Sequence, residues 1–319
     1  MRIAITIVLL TAQAVIAQPI DQRPLKFVVD GQWRGSGICY GEYRDGQGPD
    51  DGAPSEAELR EDLHILAPDF AWLRMYGTRS IETVCRIIRE DDLPLKVMVG
   101  AWIGTEDSPE TAAANRSEVV NAIRVANSYP DVVVAINVGN ESQVFWSGHK
   151  IERAKLIAYL KQAREGTSVP VTTCDDYQFW NRPAESKPVA DVCDFIGLHA
   201  YAMWNGRLLE DALRWNREQI EAVRNVYPNH PIVHAEGGWA TDVADSGEQA
   251  ELIVGLPGEG QQELYYRAYR HWAEAAQMPF FYFSAFDENW KGGPDPSEVE
   301  KHWGLYNADR TPKRAMGGD

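Results

Sequence analysis

The sequence predicts an α/β chain folded as a single (β/α)₈ TIM barrel, and three observations carry that expectation. Short runs rich in Val, Ile and aromatic residues alternate with segments of helical period from about residue 27 onward, the pattern of repeated strand–helix units and a parallel sheet. Eight such runs occur, the number that closes a barrel. No internal repeat, low-complexity tract or linker divides the 319 residues, a length that one barrel domain fills.

The eight runs, in order, are SGICYGEY (36–43), AWLRMYG (71–77), KVMVGAWIG (96–104), VVVAINVGNE (132–141), VPVTTCDDY (169–177), FIGLHAYAMW (195–204), PIVHAEGGW (231–239) and PFFYFSAFDENW (279–290). Between them lie helical segments. The clearest starts at Ser55, with Glu58 three residues on as a capping box, and runs through ELREDLHIL. Others cover roughly 80–91, 115–129, 151–165, 208–226 and 261–277. A doubly wound open sheet is the competing architecture, but GICYGEYRDGQG after the first strand lacks GxGxxG and no helix follows it at once.

The opening MRIAITIVLLTAQAVIA (1–17) has one Arg, an apolar stretch and small or branched residues at the cut, as a secretory signal does. The remainder, 18–319, is expected to be one catalytic barrel, exported as a periplasmic or secreted protein with no membrane span in the mature form. Formal net charge is −16, with no Lys/Arg cluster, so a phosphate backbone is repelled and nucleic acid is excluded as a partner. Cys39, Cys85, Cys174 and Cys193 are too widely spaced for a zinc knuckle and too few for a disulfide scaffold.

In a barrel the C-terminal strand tips converge on one mouth. Those tips carry Tyr40 and Glu42, Arg74 and Tyr76, Trp102, Asn140 and Glu141, Asp175 to Tyr177, His199, Tyr201 and Trp204, Glu236 and Trp239, and finally Asp287, Glu288, Trp290 and Lys291. Glu141 and Glu236, on strands four and seven, supply what glycosidic cleavage needs: a proton donor for the leaving oxygen and a carboxylate facing an oxocarbenium-like transition state. Asn140 is placed to bond the sugar 2-hydroxyl and Tyr201 to orient the nucleophile. Arg74, His199 and Lys291 keep one carboxylate ionised while the less solvated one holds its proton. Trp102, Trp146, Trp180, Trp204, Trp239 and Trp290 fall at or just after the tips of strands three to eight, and a ring of flat apolar surfaces around a polar mouth suits pyranose faces.

Simpler roles account for other residues. Asp175–Asp176 reads as a turn and cap pair, and Trp72, Trp215 and Trp272 as core. Cys39 and Cys174 read as buried small hydrophobes without a His–Asn partner. Alternation puts His234 and Glu236 on one strand face, where with His199 they mimic a metal set; no further ligand and no HExxH helix is evident, so neither metal nor cofactor is expected.

GICYG, LRMYGT, VGNES, AEGGW, and FDENWK followed by EKHWGLYNADRTPK together resemble glycoside hydrolase family 17, the β-1,3-glucanases and glucanosyltransferases of a retaining barrel clan. The similarity runs from about residue 35 to 314. It implies Glu141 as acid/base, Glu236 as nucleophile, and Glu288, Lys291 and Glu300 as supporting charges. The nucleophile motif departs from the usual form, with Gly237 and Ala240 where a small or branched residue and a Pro stand. The expected activity is a retaining β-1,3-glucan-active glycosidase, hydrolysing or transglycosylating, acting on a β-glucan partner as a monomer. A predominantly glucanosyltransferase activity that remodels or branches envelope glucans is the alternative, and a non-catalytic glucan-binding barrel the more distant one.

Overall fold

The computed structural model describes residues 20–29 and 31–317. The expected signal at 1–17 lies outside them. Eight parallel strands close a barrel, as expected: β1 Ser36–Cys39, β2 Trp72–Arg74, β3 Lys96–Ala101, β4 Val133–Asn140, β5 Val171–Asp176, β6 Ile196–His199, β7 Ile232–Gly237 and β8 Phe280–Tyr282, with β8 pairing back onto β1.

Helices α1 Glu56–Leu66, α2 Ile81–Glu90, α3 Pro109–Ser128 and α4 Arg153–Gly166 follow the first four strands. Then come α5 Tyr177–Trp180, α6 Pro183–Ala190, α7 Leu209–Val226, α8 Gly247–Leu252 and α9 Glu259–Ala276. Each long helix turns an apolar stripe to the barrel; α2 buries Ile81, Val84, Cys85, Ile87 and Ile88. The capping box at Ser55 and Glu58 forms as expected.

The α3 helix starts six residues before the expected 115. Ser108 caps it reciprocally with Thr111 and Pro109 takes the first turn, but the Ala-rich stretch that follows has too little apolar periodicity to announce a helix. The short α5, α6 and α8 were not expected either, being under three turns. After β8 the chain returns without an α-helix among the described residues: Tyr306 bridges Phe286, and the backbone N–H of Asp287 donates to Tyr306 O at 2.9 Å.

The N-terminal end of the barrel is stopped by a two-stranded hairpin, Val28–Val29 against Gln32–Trp33. Phe27 beside it packs edge-on against Trp72 at 5.0 Å and Phe281 at 6.4 Å. All four cysteines are buried and unpaired. No helix among the described residues is long and apolar enough to cross a membrane.

A buried ion cluster ties the C-terminal return to the barrel wall. Asp62 of α1, fully buried, accepts from Arg310 Nε and Nη2 at 2.9 and 3.0 Å, from Arg44 Nη2 at 2.7 Å and from the Tyr40 hydroxyl at 3.0 Å. Removing one member of a buried ion pair strands the other charge in a poor solvent, at a cost of about 3–5 kcal/mol. Asp62→Ala is therefore expected to lower the unfolding free energy by about that amount in urea titration. An unchanged midpoint would show that the cluster does not hold the return segment.

Candidate active site

Two bulges aim the carboxylates. In β4, Asn137 pairs with Thr172 but Asn140 pairs with Cys174, so one extra residue is accommodated around Gly139, whose φ is +78°. Glu141 follows with φ +47°, a left-handed conformation that an L side chain adopts at a cost, and its N–H is tied to Cys174 O at 2.9 Å. In β7, His234 pairs with Leu198 and Glu236 with His199, so Ala235 is the extra residue.

The second bulge corrects the expectation that His234 and Glu236 share a face. The extra residue breaks the two-residue alternation. His234 points outward to a hydrogen bond with the Tyr269 hydroxyl of α9, and only Glu236 enters the mouth. A Cβ on Gly237 would lie 2.4 Å from the His234 ring and one on Gly238 2.1 Å from Phe283 O, so these glycines permit the close packing behind Glu236.

Arg74 lies at the centre, fully buried. Its Nη1 donates to Glu236 Oε1 at 2.5 Å and its Nη2 to Asn140 Oδ1 at 2.6 Å. The Tyr76 hydroxyl donates to Glu236 Oε1 at 3.0 Å and the Tyr201 hydroxyl to Oε2 at 2.6 Å. His199 stands between the carboxylates, its Nδ1 2.9 Å from Glu141 Oε1 and its Nε2 3.5 Å from Glu236 Oε1. Polar atoms of Glu141, His199 and Glu236 all fall within 4.8 Å of one another. Such a trio has metal-ligand chemistry, but Arg74 already bonds Glu236 and brings a fixed positive charge to 3.4 Å from His199, where it would repel a dication.

The environments push the two carboxyls apart. Burial works to raise Glu236, yet the charge of Arg74 beside it and the hydrogen bonds from Tyr201 and Arg74 hold it below the usual carboxylate range. Burial raises Glu141 well above the usual carboxylate range, and the negative charges of Glu236, Asp176 and Glu300 add to that.

A second charged group flanks this pair. Lys291 Nζ meets Glu288 Oε2 at 2.5 Å and lies 4.7 Å from the centre of the Phe283 ring. Trp290 Nε1 donates to Glu288 Oε1 at 3.1 Å and Trp204 Nε1 to Glu300 Oε1 at 3.2 Å. Trp102, Trp146 and Trp290 are exposed at 41, 49 and 39 %, as flat surfaces open to a ligand must be.

Three expected site residues are elsewhere. Tyr40 turns away from the mouth into the Asp62 cluster. Trp239 is a core residue, fully buried, its Nε1 donating to Leu256 O at 2.9 Å and its ring 5.6 Å from Tyr265. Trp180 is likewise buried, bonded to Gly197 O at 2.9 Å. A large indole just past a strand tip is drawn under the rim when a helix packs behind it, as α9 does behind Trp239.

One contributor, His149, was not singled out by the sequence, and Asp175 and Glu42 were named there only as strand-tip or turn residues. His149 donates from Nε2 to Asn140 O at 2.7 Å and lies under the Trp102 ring at 4.9 Å. Asp175 accepts from the backbone N–H groups of Gln143 and Val144 at 2.9 and 3.2 Å and so anchors the loop after Glu141, while Asp176 caps α5 as expected. Burial pushes Glu42 up to about 7, against a hydrogen bond from its own backbone and from Ser80, with Glu288 adding to the rise. Nothing in local spacing marks His149, which a loop folds back; the strand-tip position of Glu42 was the available signal.

Comparison with known proteins gives a consistent result. The family profile of the BtgE/BtgC glycoside hydrolase domain matches residues 37–304. A protein from Arthroderma benhamiae named glucan 1,3-beta-glucosidase is 25% identical over 280 residues, covering 83% of this chain and 86% of its own. An endo-laminarinase from Formosa superposes with TM-score 0.79 at 26% identity, over 91% of this chain and 88% of that one. A glycoside hydrolase family 17 beta-1,3-glucanosyltransferase from Rhizomucor miehei, 22% identical, shares the fold with TM-score 0.69 over 88% of this chain and 95% of that one.

The contrast between the tryptophans is testable. Trp239→Ala is expected to lose about 3–5 kcal/mol of stability, as deletion of a buried aromatic does. Trp102→Ala should leave the melting temperature within about 2 °C, since exposed substitutions cost little, and instead weaken glucan binding. A stability loss at Trp102 equal to that at Trp239 would contradict this division.

Proposed function

Because the chain belongs to the BtgE/BtgC glycoside hydrolase family, we propose that it is a retaining β-1,3-glucan-active enzyme in which Glu141 is the acid/base and Glu236 the nucleophile. The observation that carries this is the close pair of carboxyls in contrasting surroundings, Glu236 bonded by Arg74, Tyr76 and Tyr201 and Glu141 facing only the His199 ring. Oxygens of Glu141 and Glu236 fall within 4.8 Å, close to the separation of about 5–5.5 Å that leaves room for a sugar but not for an intervening water nucleophile.

In the first step Glu236 attacks the anomeric carbon as the glycosidic C–O bond breaks, and the Glu141 proton passes to the leaving oxygen. Arg74, Tyr76 and Tyr201 hold the attacking oxygens in place. Arg74 also accepts no part of the proton traffic: it fixes the Asn140 amide by its oxygen, leaving the amide N–H groups to meet the sugar 2-hydroxyl. In the second step Glu141, now a carboxylate, removes a proton from water or from a glucan hydroxyl, which displaces Glu236. Hydrolysis and transglycosylation differ only in that acceptor. The matched relatives carry both kinds of name, an endo-laminarinase and a glucanosyltransferase. The leader-like segment at 1–17 supports export to a periplasmic or extracellular location, where a monomer would meet glucan.

A glucan-binding barrel without activity is the weaker reading, because binding has no use for two carboxyls pushed in opposite directions.

Incubation with laminarihexaose, followed by product mass, is expected to give shorter species, joined by longer ones if glucan is the acceptor; an unchanged hexaose would overturn the proposal. The first product detected by NMR should be the β-anomer. Glu236→Gln is expected to abolish turnover and spare sugar binding. Activity should fall as pH rises through the raised Glu141 pKa, since the acid is then spent, while Glu236, held low by Arg74, stays ionised and keeps the low-pH side flat across the mildly acid range. Glu141→Ala should remove the high-pH limb and slow unactivated glucans by about 10²–10⁴-fold.

A further inference from the structure

We infer that Arg74 and His199 act as a relay that decides which oxygen of Glu141 carries the acid's proton. The inference rests on the assignment of Glu141 as acid/base and goes beyond it to a positioning function for His199.

The argument starts from the one group whose protonation is fixed. A guanidinium is a donor at every nitrogen and accepts nowhere. Arg74 Nη2 has two hydrogens; one goes to Asn140 Oδ1 at 2.6 Å, and the other faces His199 Nε2 at 3.4 Å. A guanidinium nitrogen can only donate, so Nε2 facing it is the accepting, lone-pair nitrogen and the ring hydrogen sits on Nδ1. Nδ1 lies 2.9 Å from Glu141 Oε1, and an N–H there makes Oε1 the accepting oxygen. The carboxylic proton of Glu141 is then left on Oε2, the oxygen not engaged by the ring. An acid oriented in this way is ready to protonate a leaving oxygen without first breaking a hydrogen bond to the protein.

The ring is held for this task. His199 is fully buried at the end of β6, its side chain without solvent access, so its tautomer is set by protein groups alone. The opposite tautomer would turn an Nε2–H against the Arg74 N–H. It would offer that hydrogen to Glu236 Oε1 at 3.5 Å, an oxygen already receiving hydrogen bonds from Arg74 and Tyr76. It would also leave Nδ1 as an acceptor, drawing the Glu141 proton onto Oε1 and away from the substrate. Once Glu141 has lost its proton, the same Nδ1–H stabilises the carboxylate that serves as base, so the ring need not change tautomer between the two steps.

Asn and Gln substitutions separate the two ring nitrogens. In His199→Asn the amide N–H stands where Nδ1 stood and keeps a donor for Glu141; in His199→Gln the amide reaches the Nε2 position and Glu141 loses its donor. On laminarihexaose, kcat/KM is expected to stay within about tenfold of wild type for His199→Asn and to fall about 100-fold for His199→Gln, the low end of what general-acid catalysis contributes. On a dinitrophenyl β-laminaribioside, whose leaving group needs no proton, the Gln variant should fall less than about threefold, because only protonation has been impaired. Equal losses for Asn and Gln on laminarihexaose, or an equally large loss for Gln on both substrates, would overturn the relay. Glu141→Ala run in parallel separates this from the underlying assignment. If that variant shows no leaving-group dependence, the acid/base assignment has failed; if it does and His199→Gln does not, only the relay has.

Discussion

The arrangement of the mouth depends on one buried positive charge. Arg74 has no solvent, so its charge is tolerable only with acceptors beside it, and its two terminal nitrogens find them in Glu236 and Asn140 while Nε goes without a partner. That requirement brings β2, β4 and β7 to a common point, because the acceptors come from two strands that do not neighbour β2. The same charge keeps Glu236 ionised in a place where burial alone would protonate it. Structure and chemistry are therefore one constraint here: the carboxylate that satisfies the arginine is the carboxylate that the arginine keeps reactive.

The strands meet this constraint by breaking their own regularity. A parallel strand of strict alternation would send Glu236 to the same face as His234, and His234 is needed outside against Tyr269 of α9. The extra residue at Ala235 resolves the conflict by letting both face the side their chemistry needs. In β4 the bulge at Gly139 and the left-handed Glu141 do the equivalent, with Asp175 gripping the following backbone N–H groups so that the unfavourable φ is over-determined. Irregular backbone is found at both carboxylates, although β4 also carries an extra residue at Val134, away from the mouth.

This explains how much was legible in the sequence. Barrel closure follows from periodicity, and all eight strands fall inside the runs that apolar spacing marks out. Glu141, Glu236, Arg74, Asn140, His199 and Tyr201 could be named because strand tips in a barrel converge whatever the loops do. Bulges were not legible: Ala235 is an unremarkable residue in an apolar run, and only its pairing with both neighbours exposes the added position. Tyr40 and Trp239 misled for a related reason. Each stands at a tip, but the side from which the wall is packed, by α1 and by α9, decides whether the ring faces sugar or core. The C-terminal string ending in Arg310 and Lys313 was legible as a family feature, and its physical content is structural. Arg310 closes the Asp62 cluster, and Lys313 Nζ bonds Asp287 Oδ1 at 2.8 Å, directly before Glu288.

The mouth is also unequal on its two sides, and in the mechanism proposed above that inequality bears on which acceptor takes the sugar. Around β8 and β1 the groups are charged and largely buried: Glu288 is bonded to Lys291, with Glu42 and Glu300 close by. Such groups reward a particular set of sugar hydroxyls and reject others, because an unmatched partner strands a buried polar atom. Around β3 and β4 the surface is instead Trp102 over His149, with Phe145 and Trp146 exposed at 55 and 49 %. Folding gains nothing from leaving those rings in water; a sugar face laid on them does. Phe145 and Trp146 stand four and five residues beyond Glu141 on the same loop, so in the proposed mechanism the apolar surface lies on the side of the acid. A surface that holds sugar there by stacking rather than by a fixed hydrogen-bond set will retain a departing chain or admit another in its place, and how long it does so sets the competition between water and glucan for the intermediate.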